Sequence, residues 1–334
     1  MGHVAVLGAG SWGTALARHL GQKGHSVRLW ARSPALSLAI QKERVNAGYL
    51  PGIRLPDAIQ GTSDLAEAVS AASSVFFVVP SHGLREVARL CAGLLAPGTA
   101  IVTATKGIEN GSLMLMTQVL VQELGETVAA GVAALGGPSF AKEVALGLPT
   151  AVCVASAQKE RACAIQELLA SERFRVYTTD DVIGVELGGA LKNVIAIAAG
   201  TADGLGFGHN ARAGLITRGI AEISRLATHL GAHPQTLSGL SGMGDLVLTC
   251  TGDLSRNRAV GIELGKGRKL SDILAEMNMV AEGIRTADSA RALACHEGVE
   301  MPITTEVYNV LHQSKPALAA VESLLGRALR PERD

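Results

Sequence analysis

The stretch Val4-Ala5-Val6-Leu7-Gly8-Ala9-Gly10-Ser11-Trp12-Gly13 joins a short apolar run to the glycine pattern G-x-G-x-x-G. The apolar run predicts a buried β-strand and residues 11–23 carry a helical pattern, so the glycines lie at a strand-to-helix turn. Gly8 permits the tight turn, Gly10 lets backbone amides approach a pyrophosphate, and Gly13 lets the helix pack close to its strand. The amides and the positive dipole end of the helix would face that anion. The stretch therefore predicts dinucleotide binding.

Outside this stretch, the first half of the chain alternates between short strand patterns and helical patterns. The strand patterns cover 3–7, 26–30, 74–79, 99–103, 132–135, 151–155 and 175–177. The helical patterns between them include 11–23, 64–72, 84–95 and 113–124. Short strands separated by helices are typical of parallel β-α-β units. We therefore expect a Rossmann-type, doubly wound sheet.

From about residue 181 onward the patterns are helical, without a clear strand. They cover 182–201, 212–230, 256–265, 270–276, 282–297 and 304–313. We therefore expect an α/β chain of two domains, a Rossmann-type dinucleotide-binding domain over 1–186 and an all-helical substrate-binding domain over 187–330. Ligands of an open α/β sheet bind outside the carboxyl ends of its strands. The substrate is expected between this edge and the helical domain.

Composition and charge exclude several classes of protein. The chain has 30 basic and 30 acidic residues and a formal net charge of zero, whereas a general nucleic-acid binder usually carries a clustered basic excess. No apolar run approaches the roughly 18 residues of a membrane helix, and the N-terminus shows no signal-peptide pattern. The 5 cysteines are scattered and include no C-x-x-C pair. We expect a cytoplasmic protein with no nucleic-acid partner, no membrane insertion, no disulfide framework and no metal site.

The residues after the second strand pattern bear on the choice of cofactor. An NAD-selective fold usually places Asp or Glu about twenty residues beyond the glycines, where it binds the ribose 2′-hydroxyl. Here Arg32 stands at that place, and a guanidinium group suits the 2′-phosphate of NADPH. The alternative is a solvated loop arginine that binds no ligand. The sequence leaves both interpretations open.

Lys192 and Asn193 interrupt a helical pattern that is otherwise apolar. No Asp or Glu lies three or four residues from Lys192 to form an ion pair on the helix surface. Partial burial lowers the pKa of a lysine, which makes it more useful as a proton donor and acceptor. The alternative is a lysine whose ammonium group reaches water from a buried helix. The local sequence favours neither.

Two further segments could carry a phosphate site. The glycine-rich loop 241–245 ends in the carboxylate of Asp245, and ten residues later Ser255-Arg256-Asn257 opens a helical pattern. Ser255 is a good N-cap, and a helix N-terminus that carries an arginine is suited to bind phosphate. The alternatives are an ordinary capped helix at Ser255 and a turn residue at Asp245.

Ten blocks of sequence, in the same order, make the chain resemble the bacterial NAD(P)H-dependent glycerol-3-phosphate dehydrogenases over essentially its whole length. They are GAGSWGTALA (8–17), LWAR (29–32), VVPSH (78–82), TKGIE (105–109), GPSFA (137–141), LKNV (191–194), TRG (217–219), GLSGMGDLVLTC (239–250), SRN (255–257) and VAEG (280–283). The resemblance implies a Rossmann-type domain followed by a helical substrate domain. It also implies reversible reduction of dihydroxyacetone phosphate to sn-glycerol 3-phosphate, the backbone precursor of phospholipids, with NADPH or NADH.

The resemblance further implies roles for individual residues. Lys192 would transfer the proton. The substrate would be surrounded by Lys106, Gly137, Ser139, Lys192, Asp245, Ser255, Arg256 and Asn257. The cofactor site would combine the glycines Gly8, Gly10 and Gly13 with Ser11, Trp12, Arg32, Lys106, Ala141, Arg256, Val280 and Glu282. Asp245 could fix Lys192 or bind a substrate hydroxyl, and the sequence does not decide which.

One departure and two alternatives accompany this resemblance. Many relatives carry a second charged residue after the arginine of LWAR, whereas this chain has Ser33, and a single arginine binds a 2′-phosphate more weakly than two charged residues do. Other hydroxyacid or sugar-acid dehydrogenases share the two-domain plan and the lysine-asparagine pair, but would not need the phosphate site at 255–257. A non-catalytic NAD(P)H-sensing protein would not need Lys192. A homodimer would be ordinary for an enzyme of this kind.

Overall fold

An eight-stranded sheet organises the first half of the chain, in a computed structural model that describes residues 2–277, 280–329 and 331–332. The described strands are β1 (His3–Leu7), β2 (Val27–Trp30), β3 (Val45–Asn46), β4 (Leu50–Arg54), β5 (Ile59–Thr62), β6 (Ala72–Phe77), β7 (Ala100–Thr103), β8 (Ala133–Gly136), β9 (Thr150–Ala155) and β10 (Phe174–Thr179). The sheet has the order β10-β9-β8-β7-β6-β1-β2-β5, while β3 and β4 form a separate antiparallel hairpin. The chain order reverses between β1 and β6, and ligands of such sheets bind at that point.

Helices cover both faces of this sheet. They are α1 (Ser11–Gln22), α2 (Pro34–Glu43), α3 (Leu65–Val69), α4 (Ser81–Cys91), α5 (Met116–Leu124), α6 (Glu126–Ala129), α7 (Ala141–Leu146) and α8 (Lys159–Leu169). Alternate residues of β1 belong to different apolar clusters: Val4 and Val6 pack in the cluster that includes α1, whereas Ala5 and Leu7 pack with α4 and α5. The period of two in a strand explains this division. The predicted Rossmann-type, doubly wound sheet is confirmed.

Two features of the sheet differ from the prediction. Strands β8 and β9 pair antiparallel, whereas the other neighbours in the sheet pair parallel. Strands β3, β4 and β5 were not predicted, because LPGIR and IQGT contain proline or glycine and lack an apolar run. Strand direction depends on how the connecting segment crosses the sheet, which residue patterning does not encode.

The glycine turn between β1 and α1 depends on two close approaches. Gly8 has a φ of +121°, and a Cβ atom there would overlap the carbonyl oxygen of Val78. A Cβ atom at Gly13 would overlap the carbonyl oxygen of Gly8, whereas one at Gly10 would meet no atom within 4 Å. Gly8 and Gly13 are therefore required by packing, and Gly10 leaves open space beside the start of the helix.

The second half of the chain is helical, as predicted. Its elements are α9 (Val182–Gly204), α10 (Gly208–His229), α11 (Pro234–Ser238), a π-helical turn (Leu240–Gly244), α12 (Asp245–Thr251), α13 (Arg256–Gly265), α14 (Leu270–Glu276), α15 (Glu282–His296), α16 (Pro302–His312) and α17 (Ala317–Leu325). No strand occurs between residue 181 and residue 329 wherever the structure describes the chain. The predicted domain boundary at 186 and 187 falls inside α9, and residue 330, the predicted end of the second domain, lies outside the described residues.

Helix α9 is the central element of the helical half. Its 23 residues are long and apolar enough to cross a membrane, with a mean hydropathy of 1.6 in its most apolar stretch, but 83% of that stretch is buried inside the protein. The sequence expectation that no segment has this length and composition was therefore wrong. The apolar character of α9 is explained by burial, because α10, α12, α13 and α15 pack around it.

We expect Gly13→Ala to lower the free energy of unfolding by about 1–3 kcal/mol, the range for overpacking, because the added methyl group would overlap the Gly8 carbonyl oxygen. Gly10→Ala is the matched control, since a φ of −72° suits alanine and the space beside Gly10 is open. Urea unfolding followed by circular dichroism measures both variants. Equal losses of stability would contradict the packing role of Gly13.

Candidate active site

Asp245 is the centre of a buried cluster of charged side chains. Its Oδ1 atom accepts a hydrogen bond from Lys192 Nζ, and its Oδ2 atom accepts one from Lys106 Nζ at 2.6 Å. Asp245 is 0% exposed and Lys192 is 7% exposed. The ammonium group of Lys192 therefore ends on a carboxylate inside the protein and does not reach water. Of the two roles considered for Asp245, holding Lys192 is the one that this geometry displays.

Three separate segments bring this cluster together. Lys192 lies in the middle of α9, Asp245 begins α12, and Lys106 follows β7 in the loop at the carboxyl edge of the sheet. Gly188 permits the contact between α9 and the π-helical turn, because a Cβ atom there would overlap the carbonyl oxygen of Ser241. The partner of Lys192 thus comes from 53 positions away in the sequence, which explains why no carboxylate occurs nearby on its own helix.

Thr249 is a member of the cluster that sequence analysis missed. Its Oγ1 atom accepts a hydrogen bond from Lys192 Nζ at 2.8 Å and donates to the carbonyl oxygen of Asp245 at 2.6 Å. The spacing of four between Asp245 and Thr249 places both on one face of α12, and this spacing was the available signal. Two of the three N–H donors of Lys192 are used within the protein, which leaves the third for a bound molecule.

The charges in the cluster shift one another's proton affinities. Burial lowers the pKa of Lys192 to about 8; the Asp245 carboxylate opposes this change and the charge of Lys106 adds to it. Burial alone would raise the pKa of Asp245, but Lys106 and Lys192 together hold it below its ordinary value. Two ammonium groups and one carboxylate give a net positive charge. Such a site can stabilise a developing oxyanion, and a lysine with a pKa near 8 can both donate and accept a proton.

The segment after β8 contributes backbone groups to the same place. The carbonyl oxygen of Gly137 lies 3.5 Å from Lys106 Nζ and accepts a hydrogen bond from Ser139 Oγ at 3.0 Å. Lys106 keeps 20% of its side chain exposed, so the cluster is open on this side. The structure thus brings together five of the residues predicted to surround the substrate: Lys106, Gly137, Ser139, Lys192 and Asp245.

The segment 255–257 starts α13 and has structural partners of its own. Ser255 Oγ accepts a hydrogen bond from the Arg258 N–H at 3.2 Å, which confirms the predicted N-cap. Asn257 Nδ2 donates to Asn193 Oδ1 at 2.9 Å. Asn257 Oδ1 accepts from the Gly283 N–H at 3.0 Å. This buried amide therefore joins α13 to α9 and to the start of α15.

Arg256 differs from its two neighbours because its side chain is exposed. It occupies the first position of α13, where the backbone N–H groups of the first turn have no partner within the helix. The Ser255 cap uses the N–H of Arg258 and leaves the amides at 256 and 257 outside that bond. A guanidinium group beside such amides suits an anion such as phosphate.

The start of α1 fits the pyrophosphate of a dinucleotide. Its N-cap, Gly10, supplies no side-chain cap, and the first turn contains no acidic residue. Among the first-turn amides, those of Trp12 and Gly13 have no partner within the helix and lie next to the open space at Gly10, where an anion can approach. Trp12 Nε1 is a buried donor without a hydrogen-bond partner among the described residues. No described group of three or more His, Cys, Asp or Glu side chains could hold a metal ion.

The other predicted cofactor residues occupy the same edge of the molecule. Arg32 is exposed after β2, and Ser33 caps α2 by accepting a hydrogen bond from the Leu36 N–H at 3.4 Å. Ser33 therefore has a local structural role. Burial lowers the pKa of His82, and the charges of Arg285 and Arg32 lower it further, which places Arg32 near the start of α4.

Glu282 links the start of α15 to the start of α4. Its Oε2 atom accepts a hydrogen bond from Ser81 Oγ at 3.0 Å. Burial raises the pKa of Glu282, although the Ser81 hydrogen bond and the charge of Arg256 oppose this effect. Val280 is exposed, and Ala141 begins α7. Among the described residues, Arg32 and Val280 form no hydrogen bond or ion pair with the lysine–aspartate cluster.

Comparison with protein families gives matches to both halves of the chain. Residues 3–162 match the family model described as NAD-dependent glycerol-3-phosphate dehydrogenase N-terminus. Residues 181–322 match the one described as NAD-dependent glycerol-3-phosphate dehydrogenase C-terminus.

Curated relatives are similar over nearly the full chain. A glycerol-3-phosphate dehydrogenase [NAD(P)+] from Geobacter sulfurreducens is 55% identical over 330 residues, which cover 99% of this chain and 98% of that protein. A protein of the same name from Chlorobium luteolum is 52% identical over 332 residues, covering 99% of this chain and 100% of that protein.

Solved structures are also similar to this chain over nearly its full length. A glycerol-3-phosphate dehydrogenase from Coxiella burnetii has a TM-score of 0.94 at 43% identity, covering 98% of this chain and 99% of that chain. A ketopantoate reductase from Ralstonia eutropha has a TM-score of 0.59 at 16% identity, covering 96% and 99%. The second likeness shows a shared fold alone.

We expect Asp245→Asn to lower the pKa of Lys192 below about 8, because the Asp245 carboxylate now stabilises the ammonium form. Nuclear magnetic resonance titration of lysine side chains labelled at Cε measures this pKa. Thr249→Val is the control, since it removes a neutral partner of Lys192 and no charge. An unchanged or higher pKa in Asp245→Asn would show that the carboxylate does not govern the protonation of Lys192.

Proposed function

This chain belongs to the NAD-dependent glycerol-3-phosphate dehydrogenase family, and we propose that it reversibly reduces dihydroxyacetone phosphate to sn-glycerol 3-phosphate with Lys192 transferring the proton. It is an oxidoreductase that uses NADH or NADPH, and its product supplies the backbone for glycerophospholipids. The observation that carries the assignment of roles is the buried Lys192–Asp245–Lys106 cluster at the carboxyl edge of the sheet.

The proton transfer follows from the state of Lys192. When bound, the nicotinamide cofactor supplies the hydride that reduces the carbonyl carbon. Lys192 in its ammonium form donates a proton to the carbonyl oxygen as negative charge develops there, and becomes a neutral amine. In the reverse direction neutral Lys192 accepts the proton of the hydroxyl group. A pKa of about 8 keeps both forms accessible near neutral pH.

Asp245 and Lys106 support this step electrostatically. The ionised Asp245 carboxylate fixes the position of Lys192 Nζ and is itself held by Lys106 at 2.6 Å. The net positive charge of the cluster favours the oxygen anion that forms during reduction. Gly137 and Ser139 complete this side of the substrate site, because the Gly137 carbonyl oxygen contacts Lys106 and Ser139.

The start of α13 is proposed to bind the substrate phosphate. Arg256 offers a guanidinium group, and the amides at the helix start complement it. Ser255 and Asn257 hold this helix start in place through the N-cap and the bond to Asn193. Binding energy from the phosphate then orients the carbonyl carbon, which does not itself contact these residues.

The cofactor is proposed to lie along the carboxyl edge of the sheet. The glycine turn binds its pyrophosphate, with Ser11 and Trp12 at the first turn of α1, and Arg32 lies at the end of β2 toward the adenosine. The proposed contacts near the substrate are Lys106, Ala141, Arg256, Val280 and Glu282. The open space at Gly10 and the uncapped first turn of α1 support this placement.

The domain division and the cellular context belong to the same proposal. We place the dinucleotide-binding domain at 1–186 and the substrate domain at 187–330, joined within α9. We also propose a cytoplasmic homodimer without membrane insertion. The burial of α9 supports the lack of insertion, and the free thiols of Cys91 and Cys250 support the cytoplasmic location.

Two other functions explain the site less well. A protein that only senses NAD(P)H has no use for a buried lysine whose pKa is lowered to about 8 beside a carboxylate. A dehydrogenase of non-phosphorylated hydroxyacids has no use for an exposed arginine at the start of α13. Both features are accounted for when the substrate is a phosphorylated ketone.

The proposed function is tested by the oxidation of NADPH and NADH with dihydroxyacetone phosphate, followed at 340 nm. Lys192→Ala is expected to lower turnover by about 10²–10⁴-fold, the range for loss of a general acid–base group, with cofactor affinity nearly unchanged. Lys266→Ala is a control for loss of a lysine, because Lys266 pairs with Glu263 on the surface of the same half.

Two outcomes would overturn these roles. Turnover of Lys192→Ala comparable to that of the unaltered protein would remove Lys192 from the mechanism. Oxidation of NADPH with a non-phosphorylated 2-keto acid, but not with dihydroxyacetone phosphate, would refute the substrate.

We expect Arg32→Ala to raise the dissociation constant of NADPH at least tenfold and that of NADH less than twofold, because only NADPH carries the 2′-phosphate that a guanidinium group binds. Dissociation constants from cofactor fluorescence measure the difference. Arg54→Ala is a control, since Arg54 is another exposed arginine of the same domain. Equal losses of affinity for both cofactors would show that Arg32 does not bind the 2′-phosphate.

A further inference from the structure

The β3–β4 hairpin holds the glycine turn at two points. Asn46 on β3 is 0% exposed, and its Nδ2 atom donates to the Ala9 carbonyl oxygen at 2.8 Å and to Thr14 Oγ1 at 2.8 Å. At the tip of the same hairpin, the carbonyl oxygen of Tyr49 accepts a hydrogen bond from Ser11 Oγ at 2.7 Å. The two contacts lie on either side of Gly10, the glycine with open space beside it.

The bond from Asn46 fixes the direction of a backbone N–H group. In a planar trans peptide the C=O and the following N–H point in opposite directions. Because the Ala9 carbonyl oxygen points to Asn46, the Gly10 N–H must point away from the hairpin. Rotation of this peptide plane would break the bond to Asn46 and turn the Gly10 N–H toward the protein.

The environment of Asn46 indicates more than a packing role. Its Oδ1 atom is buried and has no hydrogen-bond partner among the described residues. A buried carbonyl oxygen without a partner costs stability. One of the two polar atoms of this side chain is thus unpaired, and such a local cost to stability is expected where a residue serves a ligand site.

We propose that Asn46 is a positioning residue for the cofactor, which orients the Ala9–Gly10 peptide so that the Gly10 N–H faces the pyrophosphate. This inference rests on the proposed cofactor site and adds to it a residue outside the glycine pattern. Since NADPH and NADH share the same pyrophosphate, Asn46 supports both equally. Arg32, in contrast, distinguishes them.

The test compares cofactor binding by Asn46→Ala and Asn46→Asp with binding by the unaltered protein. Aspartate keeps the size of the side chain but, when ionised, cannot donate to the Ala9 carbonyl oxygen. Both variants are expected to raise the dissociation constants of NADPH and NADH about tenfold and by the same factor, the loss of one charge-assisted hydrogen bond. The kcat at saturating cofactor and the KM for dihydroxyacetone phosphate are expected to stay within twofold.

Thr14→Val is the matched control. It removes the second partner of Asn46, is equally buried, and leaves the Ala9 carbonyl bond in place. We expect it to lower Tm with little change in either dissociation constant. If Thr14→Val and Asn46→Ala weaken cofactor binding equally, the role of Asn46 is structural only and the inference fails. Unchanged cofactor binding in the Asn46 variants would also overturn it.

Two further results distinguish a failure of the proposed function from a failure of the role of Asn46. If the unaltered protein binds neither NADPH nor NADH, the proposed function itself fails. If the Asn46 variants do not fold, hydrogen exchange of the unaltered protein decides: added NADPH should slow exchange in both 8–13 and 44–50. Slower exchange in 8–13 alone would overturn the role of the hairpin.

Discussion

The burial of one ammonium group constrains the architecture of this enzyme. Lys192 lies in the long, largely buried and apolar helix α9, and a buried charge is tolerated only when it is paired and hydrogen-bonded. Asp245 supplies that pairing, and its own burial is balanced by Lys106 on the other carboxylate oxygen. Helix α9, the start of α12 and the loop after β7 must therefore meet at one point. This meeting point lies at the carboxyl edge of the sheet, where the three side chains form the site.

Most of the other site residues stand at the beginnings of helices. Gly10, Ser255 and Glu282 lie at the starts of α1, α13 and α15. The amides of a first helical turn have no partner within the helix, so these places attract anions such as a pyrophosphate or a phosphate. Asn257 ties α9, α13 and α15 together. The arrangement of the anion sites is thus determined by the packing of the helices behind them.

Buried carboxylates in this protein behave differently according to their neighbours. Burial raises the pKa of Glu186 and of Glu222 to about 7, and the hydrogen bonds that they accept from Thr117 or from residues 303 and 304 oppose this rise only in part. Asp245 is equally buried, but two ammonium groups lower its pKa. A folded-state pKa of about 7, above the unfolded value of 4.5, means that the native state binds more protons between these values. The contribution of both glutamates to stability therefore falls as the pH rises from about 4.5 to 7.

The glycine turn, the alternation of strands and helices, the helical second half and the N-cap at Ser255 could all be predicted from residue patterns, because these features depend on residues close together in the chain. The sequence also showed that Lys192 has no partner on its own helix. Three features became visible in the folded chain alone: Asp245 and Thr249 hold Lys192, β8 and β9 run antiparallel, and Asn46 holds the Ala9 carbonyl. These contacts join segments far apart in sequence, and local residue patterns carry no record of which segments will meet once their apolar faces are buried.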